Sequence, residues 1–247
     1  MKKPVVLIAL LTLFAVAGVS QKPNSQKPNE KGPIAAAAEK DAAVAIAKAA
    51  LAAHGGDKFK QMKSIVMKGS VDLNVSNQVL PGAFSIAMSG DKYYFEINSV
   101  VQSIKQIYDG QQTYSSINGF MVPPPTSVGF GVLARVGDAG YVITPYGDDK
   151  KKRKGFRITT PDGFYTDFYV DEKTGQVKGY ESAFEVGQRL ITTSAEIDSV
   201  ETIDGVVVPK KYSQRFDLGN LTAYANFNTK DIKVNPPMDE TAFAIPR

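Results

Sequence analysis

The 247-residue chain has no cysteine, no tryptophan and one histidine, His54. Without cysteine it can form neither disulfides nor thiolate metal sites, has no thiol nucleophile, and offers no N-terminal cysteine for a lipid anchor. A single histidine rules out a histidine-based metal cluster. Any serine–histidine–acid triad would have to be built on His54, and no serine lies in a nucleophile-elbow motif. His54 falls in the last turn of a predicted helix, where an imidazole interacts favourably with the carbonyl end, so its role reads as structural. There is no phosphate-binding glycine loop and no acidic loop with calcium-ligand spacing. These absences point away from an enzyme and away from any cofactor or metal.

What is present begins with a targeting segment. Lys2 and Lys3 precede an apolar run from Val5 to Ala17, and Gly18-Val19-Ser20 supplies small residues for a signal peptidase. Residues 1–20 are therefore read as a cleavable signal peptide, since the run is short for a membrane span. Cleavage lowers the formal charge from +4 to +2, too small to imply a nucleic-acid partner. The expected location is the periplasm, in soluble, non-lipidated form. Residues 21–33 contain Gln-Lys-Pro-Asn twice and no large apolar residue, so they read as a disordered linker. A single domain is expected over 34–247.

That domain opens with an alanine-rich segment, Ile34 to His54, helical by propensity. Val44 and Leu51, with Ile34 and Ile46 nearby, give it one packing side. Gly55-Gly56 ends it, and Asp57 caps a second short helix carrying Phe59 and Met62. From Ser64 to Val75 the period changes to two. Ile65, Met67, Val71, Leu73 and Val75 share one face, and Val66, Lys68, Ser70, Asp72 and Asn74 share the other. Ala83–Ser89 places Phe84, Ile86 and Met88 together, and Lys92–Asn98 does the same for Tyr93, Phe95 and Ile97. Asp109-Gly110 separates two short strands. Strand signals resume at Phe156 and continue through Phe164–Asp171, Gln176–Glu185, Arg189–Thr202, Val206–Phe216 and Leu221–Lys233. The fold class is mainly β with helices (α+β): about 11 antiparallel strands pairing with their sequence neighbours in a meander that curls strongly.

Between the two runs of strands, Pro123-Pro124-Pro125 breaks the pattern, and Val128, Phe130, Val132, Leu133 and Val136 follow among glycines. This segment and the first helix are the candidate covers for the apolar face. Full cover makes a closed core; partial cover leaves a pocket for a hydrophobic ligand. The candidate cavity and lid residues are Met67, Phe84, Ile86, Met88, Tyr93, Phe95, Ile97, Met121, Phe130 and Leu133. Methionines suit guests of variable shape. Asp167 and Asp171 share a strand face with Tyr165 and Tyr169; they read either as an acid–base pair or, more simply, as a solvated face. The run Lys150, Lys151, Lys152, Arg153, Lys154 reads as a solvated hairpin tip or as a transient contact with an anionic membrane.

The order helix, meander, apolar insert, meander resembles the periplasmic lipoprotein-carrier family of the LolA/LolB type. The resembling residues are Ala49–Leu73, Asp171-Glu172-Lys173-Thr174-Gly175 before a strand, and Val234-Asn235-Pro236-Pro237-Met238-Asp239 followed by Phe243 and Ile245-Pro246. The resemblance implies an incomplete β-barrel with helices in its mouth, a cavity for lipid or lipoprotein acyl chains, and membrane-bound donor and acceptor proteins as partners. Family carriers also use a lid arginine. Arg135 lies in the lid-like segment, but no motif aligns it with that role. The alternative is a non-catalytic envelope sensor or scaffold whose core is filled by its own side chains.

Overall fold

The computed structural model describes residues 33–75, 78–117, 123–148, 153–186, 189–217 and 222–246. The signal-peptide reading and nearly all of the linker, with Met121, Lys150, Lys151 and Lys152, lie outside the described residues. Helix α1 (Pro33–Ala53) begins with proline at its first position, where no donor is needed, so the helix includes the last residue of the expected linker. Its buried stripe is Ala43, Ala47, Ala50 and Leu51, while Val44 and Ile46 are only half-buried. Alanine lets the helix approach the sheet closely. Gly55, at φ +111°, ends it: a Cβ there would lie 2.5 Å from the Gly205 carbonyl oxygen. Asp57 is the first residue of α2 (Asp57–Lys60), not its cap.

Twelve antiparallel strands are described: β1 (Ser64–Val75), β2 (Gln78–Ser89), β3 (Lys92–Ser99), β4 (Ser103–Tyr108), β5 (Thr113–Ser115), β6 (Val142–Asp148), β7 (Arg153–Thr159), β8 (Tyr165–Val170), β9 (Val177–Val186), β10 (Arg189–Ile203), β11 (Val206–Asp217) and β12 (Thr222–Val234). They form one sheet in the order β5-β4-β3-β2-β1-β12-β11-β10-β9-β8-β7-β6. Neighbours in sequence pair, except β5 and β6, and β1 with β12 is the one long-range pairing among the described strands. The sheet is an incomplete, curved barrel with β5 and β6 as its free edges. Register shifts at Lys68/Gly69, Tyr169/Val170 and Ile197–Val200 bend the strands where they occur.

Two strand assignments differ from the sequence reading, both because of proline. The edge strand β6 is absent from that reading because it contains Pro145 and Gly147. An edge strand faces a neighbour on one side only, so a missing donor is tolerated. Strand β2 starts at Gln78 rather than Ala83. Pro81 pairs with Asp72 of β1, and β3 reaches only as far as Gly82, so Pro81 has a strand on one side alone.

The concave face carries the main core. Its lower end, at the turns 90–91, 109–112, 171–176 and 204–205, is filled by the C-terminal end of α1, by α2 and by the 3-10 helix Phe130–Arg135. A second, smaller cluster lies on the convex face, which the sequence reading left as solvated. There Val66, Ala87, Tyr94, Ile107 and Tyr114 are covered by Met238, Phe243 and Ile245 from the C-terminal segment. Asn235, at φ +53°, folds that segment back. Its Oδ1 accepts the Lys63 N–H at 2.8 Å, and the Ser64 hydroxyl donates to the Pro236 carbonyl at 2.8 Å. Phe243 is 2% exposed, so Phe243→Ala is expected to cost about 3–5 kcal/mol. Urea unfolding measures this; a loss under about 1 kcal/mol would show that the outer cover is dispensable.

Candidate functional site: the concave face

The chain enters the sheet's interior because of its topology. Strands β5 and β6 are consecutive in sequence but occupy opposite edges, so the connection between them crosses the open side. The described part of this connection, residues 123–141, runs as a strap inside the curl. At one point the Gly129 N–H donates to Thr166 Oγ1 of β8 at 3.0 Å. Gly129 packs against the Tyr180 ring and has φ +83°, a left-handed conformation that favours glycine. The Phe130 ring then meets His54 edge-on at 5.0 Å and Phe59 at 5.6 Å. Val132 and Leu133 are fully buried. Further on, Lys60 Nζ donates to the Val136 carbonyl at 2.8 Å and pairs with Asp138 at 2.7 Å. The sequence reading set Phe130 and Leu133 in a lid over the apolar face. The strap is instead bonded and packed at several points, and Leu133 belongs to the core.

His54 locks the lower end. The Val177 N–H donates to its Nε2 at 3.0 Å, so Nδ1 carries the proton and donates to the Val207 carbonyl at 2.8 Å. The expected structural role holds, but it comes from a neutral ring joining α1 to β9 and β11 and not from a charge at the helix end. Burial holds the imidazole below its ordinary value of 6.5, the Val207 bond opposing this only partly.

The carboxylates of the sequence reading do not come together. Asp167, on the convex face, is 3% exposed and not solvated; its two oxygens accept from Arg157 Nε at 2.6 Å and Nη2 at 2.8 Å. Burial pushes its carboxyl up despite that guanidinium, which stacks on Tyr165 at 4.0 Å. Asp171 instead accepts the amides of Lys173 and Thr174 in a turn. Among the described residues, no group of three His, Asp or Glu could hold a metal, and no helix is long and apolar enough to cross a membrane. The described members of the basic cluster lie at the lower end. Arg153 pairs with Glu196 at 2.7 Å and Lys154 with Glu172 at 3.0 Å. They border an outer groove of about 330 Å³ whose charges are largely paired with one another, on the face away from the apolar interior. Arg135 lies 3.7 Å from both Asp91 and Asp138, tying the strap to the β2–β3 turn.

Of the predicted cavity residues, all that are described lie on or against the concave side. Met67, Phe84, Tyr93, Ile97 and Leu133 are buried by the chain's own packing, whereas Ile86, Met88, Phe95 and Phe130 remain half-buried. Tyr93 is also polar in function: its hydroxyl accepts from the buried Gln106 amide. Burial raises the Tyr93 phenol well above its ordinary value, the Gln106 bond offsetting this in part. The sequence reading did not include Leu73, Leu80 and Ile104 in the site. These are half-buried on the upper concave face, where Leu73 pairs with Leu80. Their signal was the period-two alternation, hidden at Leu80 by the neighbouring Pro81. The upper end also carries all six large apolar side chains found exposed among the described residues: Val79, Val100, Val101, Val142, Leu190 and Tyr224.

Fold and site together define a class: an open antiparallel half-barrel, plugged at one end by helices and a strap, with apolar side chains still reachable at the other. No protein-family model matches the sequence, and no curated protein matches it. Among solved structures, a DUF1329 family protein from Desulfovibrio piger aligns over 83% of this chain and 97% of its own, at 11% identity and a TM-score of 0.50. A putative outer membrane lipoprotein-sorting protein domain from Vibrio parahaemolyticus aligns over 83% and 97%, at 10% identity and 0.45. A LolA superfamily protein from Nitrosomonas europaea aligns over 79% and 97%, at 12% identity and 0.47. The likeness is one of fold.

The lock at His54 gives a pH test. In the unfolded chain the imidazole titrates at about 6.5, and in the folded chain lower. Below pH 6.5 the unfolded state gains a proton that the folded state does not, so stability falls on acidification and is level above. His54→Leu leaves the Val177 N–H and Val207 C=O unpaired, an expected loss of about 2–5 kcal/mol at pH 7. It should also flatten the dependence between pH 7 and 5, because no other histidine titrates there. Urea midpoints at the two pH values measure this; equal slopes in both proteins would remove His54 as the acid-sensitive group.

Proposed function

We propose that the chain is an exported, non-catalytic carrier or binder of acyl chains, belonging either to lipid-modified proteins or to free lipids, held in the upper half of the concave face. One observation carries this reading: the helices and the strap fill the lower end of the apolar interior, while Leu73 and Leu80 at the upper end remain half-buried, with Ile104 and Phe95 half-buried on the same wall below them. The energetics suit transfer. Moving an acyl chain out of water gains about 0.8 kcal/mol per methylene, but moving it out of a bilayer gains almost nothing. A cavity about as apolar as lipid can therefore both load and release. The exposed valines and Leu190 at the open end suit an approach to a membrane or to a membrane-bound donor or acceptor. The basic cluster is less suited, since Arg153 and Lys154 lie at the plugged end. The Lys2–Ser20 segment supports export to the periplasm.

A second reading is an envelope scaffold or sensor with the same fold. It is favoured by the complete burial of Val132 and Leu133 and the near-complete burial of Phe84 and Ile97 by the chain's own packing. Native mass spectrometry of the protein purified from a bacterial envelope separates the two. The carrier reading expects a lipid adduct, released on delipidation and regained from phospholipid vesicles. A mass that stays at the bare chain throughout supports the scaffold and overturns the carrier.

A further inference from the structure

The concave face is apolar along most of its length, but on four adjacent strands the pattern is interrupted. Thr166 of β8, Ser182 of β9, Thr193 of β10 and Gln214 of β11 form a polar seam across the upper half of the curl. Ser182 stands opposite Thr193, and Gln214 lies diagonally beyond it. The Thr166 and Ser182 hydroxyls are 3.0 Å apart, and Gln214 Nε2 donates to Thr193 Oγ1 at 3.1 Å. The first three residues are buried and Gln214 is half-buried, so the seam is reached at its Gln214 end.

Its hydrogens outnumber the acceptors they meet. Three hydroxyls and one amide hold five hydrogens, and two are used within the seam. The Gly129 N–H adds a donor, not an acceptor. Three hydrogens therefore meet no acceptor among the described residues, and turning the Gln214 amide over changes which three without changing the number. Two positions along the same strands stand Tyr180 and Tyr212, both half-buried on the same face. Burial pushes the Tyr180 phenol up to about 12 and raises Tyr212 as well, so both stay protonated. Buried donors without acceptors are costly, and a guest that brings acceptors alone relieves that cost. The donors of the seam itself are all uncharged, three hydroxyls and an amide, which suits an uncharged acceptor; the arginine that the register sets on this face is Arg189, at the rim of β10, four positions before Thr193. The facing wall, Leu73, Leu80, Phe95 and Ile104, is apolar.

The geometry points to this seam as the binding site for the ester carbonyl of an acylated ligand, with the hydrocarbon chain lying along the β1–β4 wall. The inference rests on the carrier reading and names the chemical group it recognises. It is tested with two probes of equal chain length, 1-palmitoylglycerol, which has an ester carbonyl, and 1-O-hexadecylglycerol, which has an ether oxygen in its place. Binding is measured by calorimetry below their critical micelle concentrations. The full chain should bind the ester about tenfold more tightly, as expected for one or two hydrogen bonds. Gln214→Leu and Thr193→Val, each confirmed folded by its urea midpoint, should bring the ratio of the two affinities to within about twofold. Equal affinities in the unaltered chain, or an unchanged ratio in both variants, overturn this inference and leave the carrier reading standing. Failure of both probes to bind the unaltered chain overturns both.

Discussion

The pairing of β1 with β12 is the constraint on which the rest depends. It joins the first and last strands and turns two meanders into one twelve-stranded sheet. It also sends β5 and β6, neighbours in sequence, to opposite edges. The chain between them must then cross the open side, and its apolar residues meet the concave face. The strap, the plug at the lower end and the reachable upper end all follow from that one long-range pairing. The pairing is well defended, because Ile65, Met67, Val71 and Leu73 all face inward and a slip of one residue would turn them all outward.

The lower end is held by directional bonds as well as by apolar contact. His54 fixes α1 to two strands through a single neutral ring, and Phe130 and Phe59 close over it. Lys60 and Arg135 tie the strap to the helices and to the β2–β3 turn. Polar anchors of this kind specify one arrangement where apolar packing alone would permit several. The upper end has few such anchors on its apolar wall and shows half-buried leucine, isoleucine and phenylalanine side chains instead.

Much of this was legible in the sequence. The face of β1, the hairpin at Asp109-Gly110, the helix stop at Gly55-Gly56 and the structural role of His54 follow from local rules that the fold obeys. The misses have particular causes. Pro145 and Pro81 read as breakers because a single strand does not reveal which of its sides lacks a neighbour. Val66 was set among polar residues because its cover, Phe243, lies far along the chain. Asp167 looked solvated because its partner Arg157 sits on the adjacent strand, in a register that alternation does not give. The polar seam could have been found by counting back from Phe168 and Phe184 in twos, which assigns Thr166 and Ser182 to the buried face.

The central claim is that the upper concave face admits a hydrocarbon chain while the convex face does not. The absence of tryptophan makes a direct measurement possible. Ile104→Trp places the only indole on the upper concave wall, and Val66→Trp places it on the covered convex face. Each variant, confirmed folded by its urea midpoint, is titrated with a phospholipid carrying dibrominated acyl chains, which quench tryptophan on contact. The account predicts strong, saturable quenching at position 104 and little at position 66. Equal quenching at both positions, or none at position 104, would contradict it.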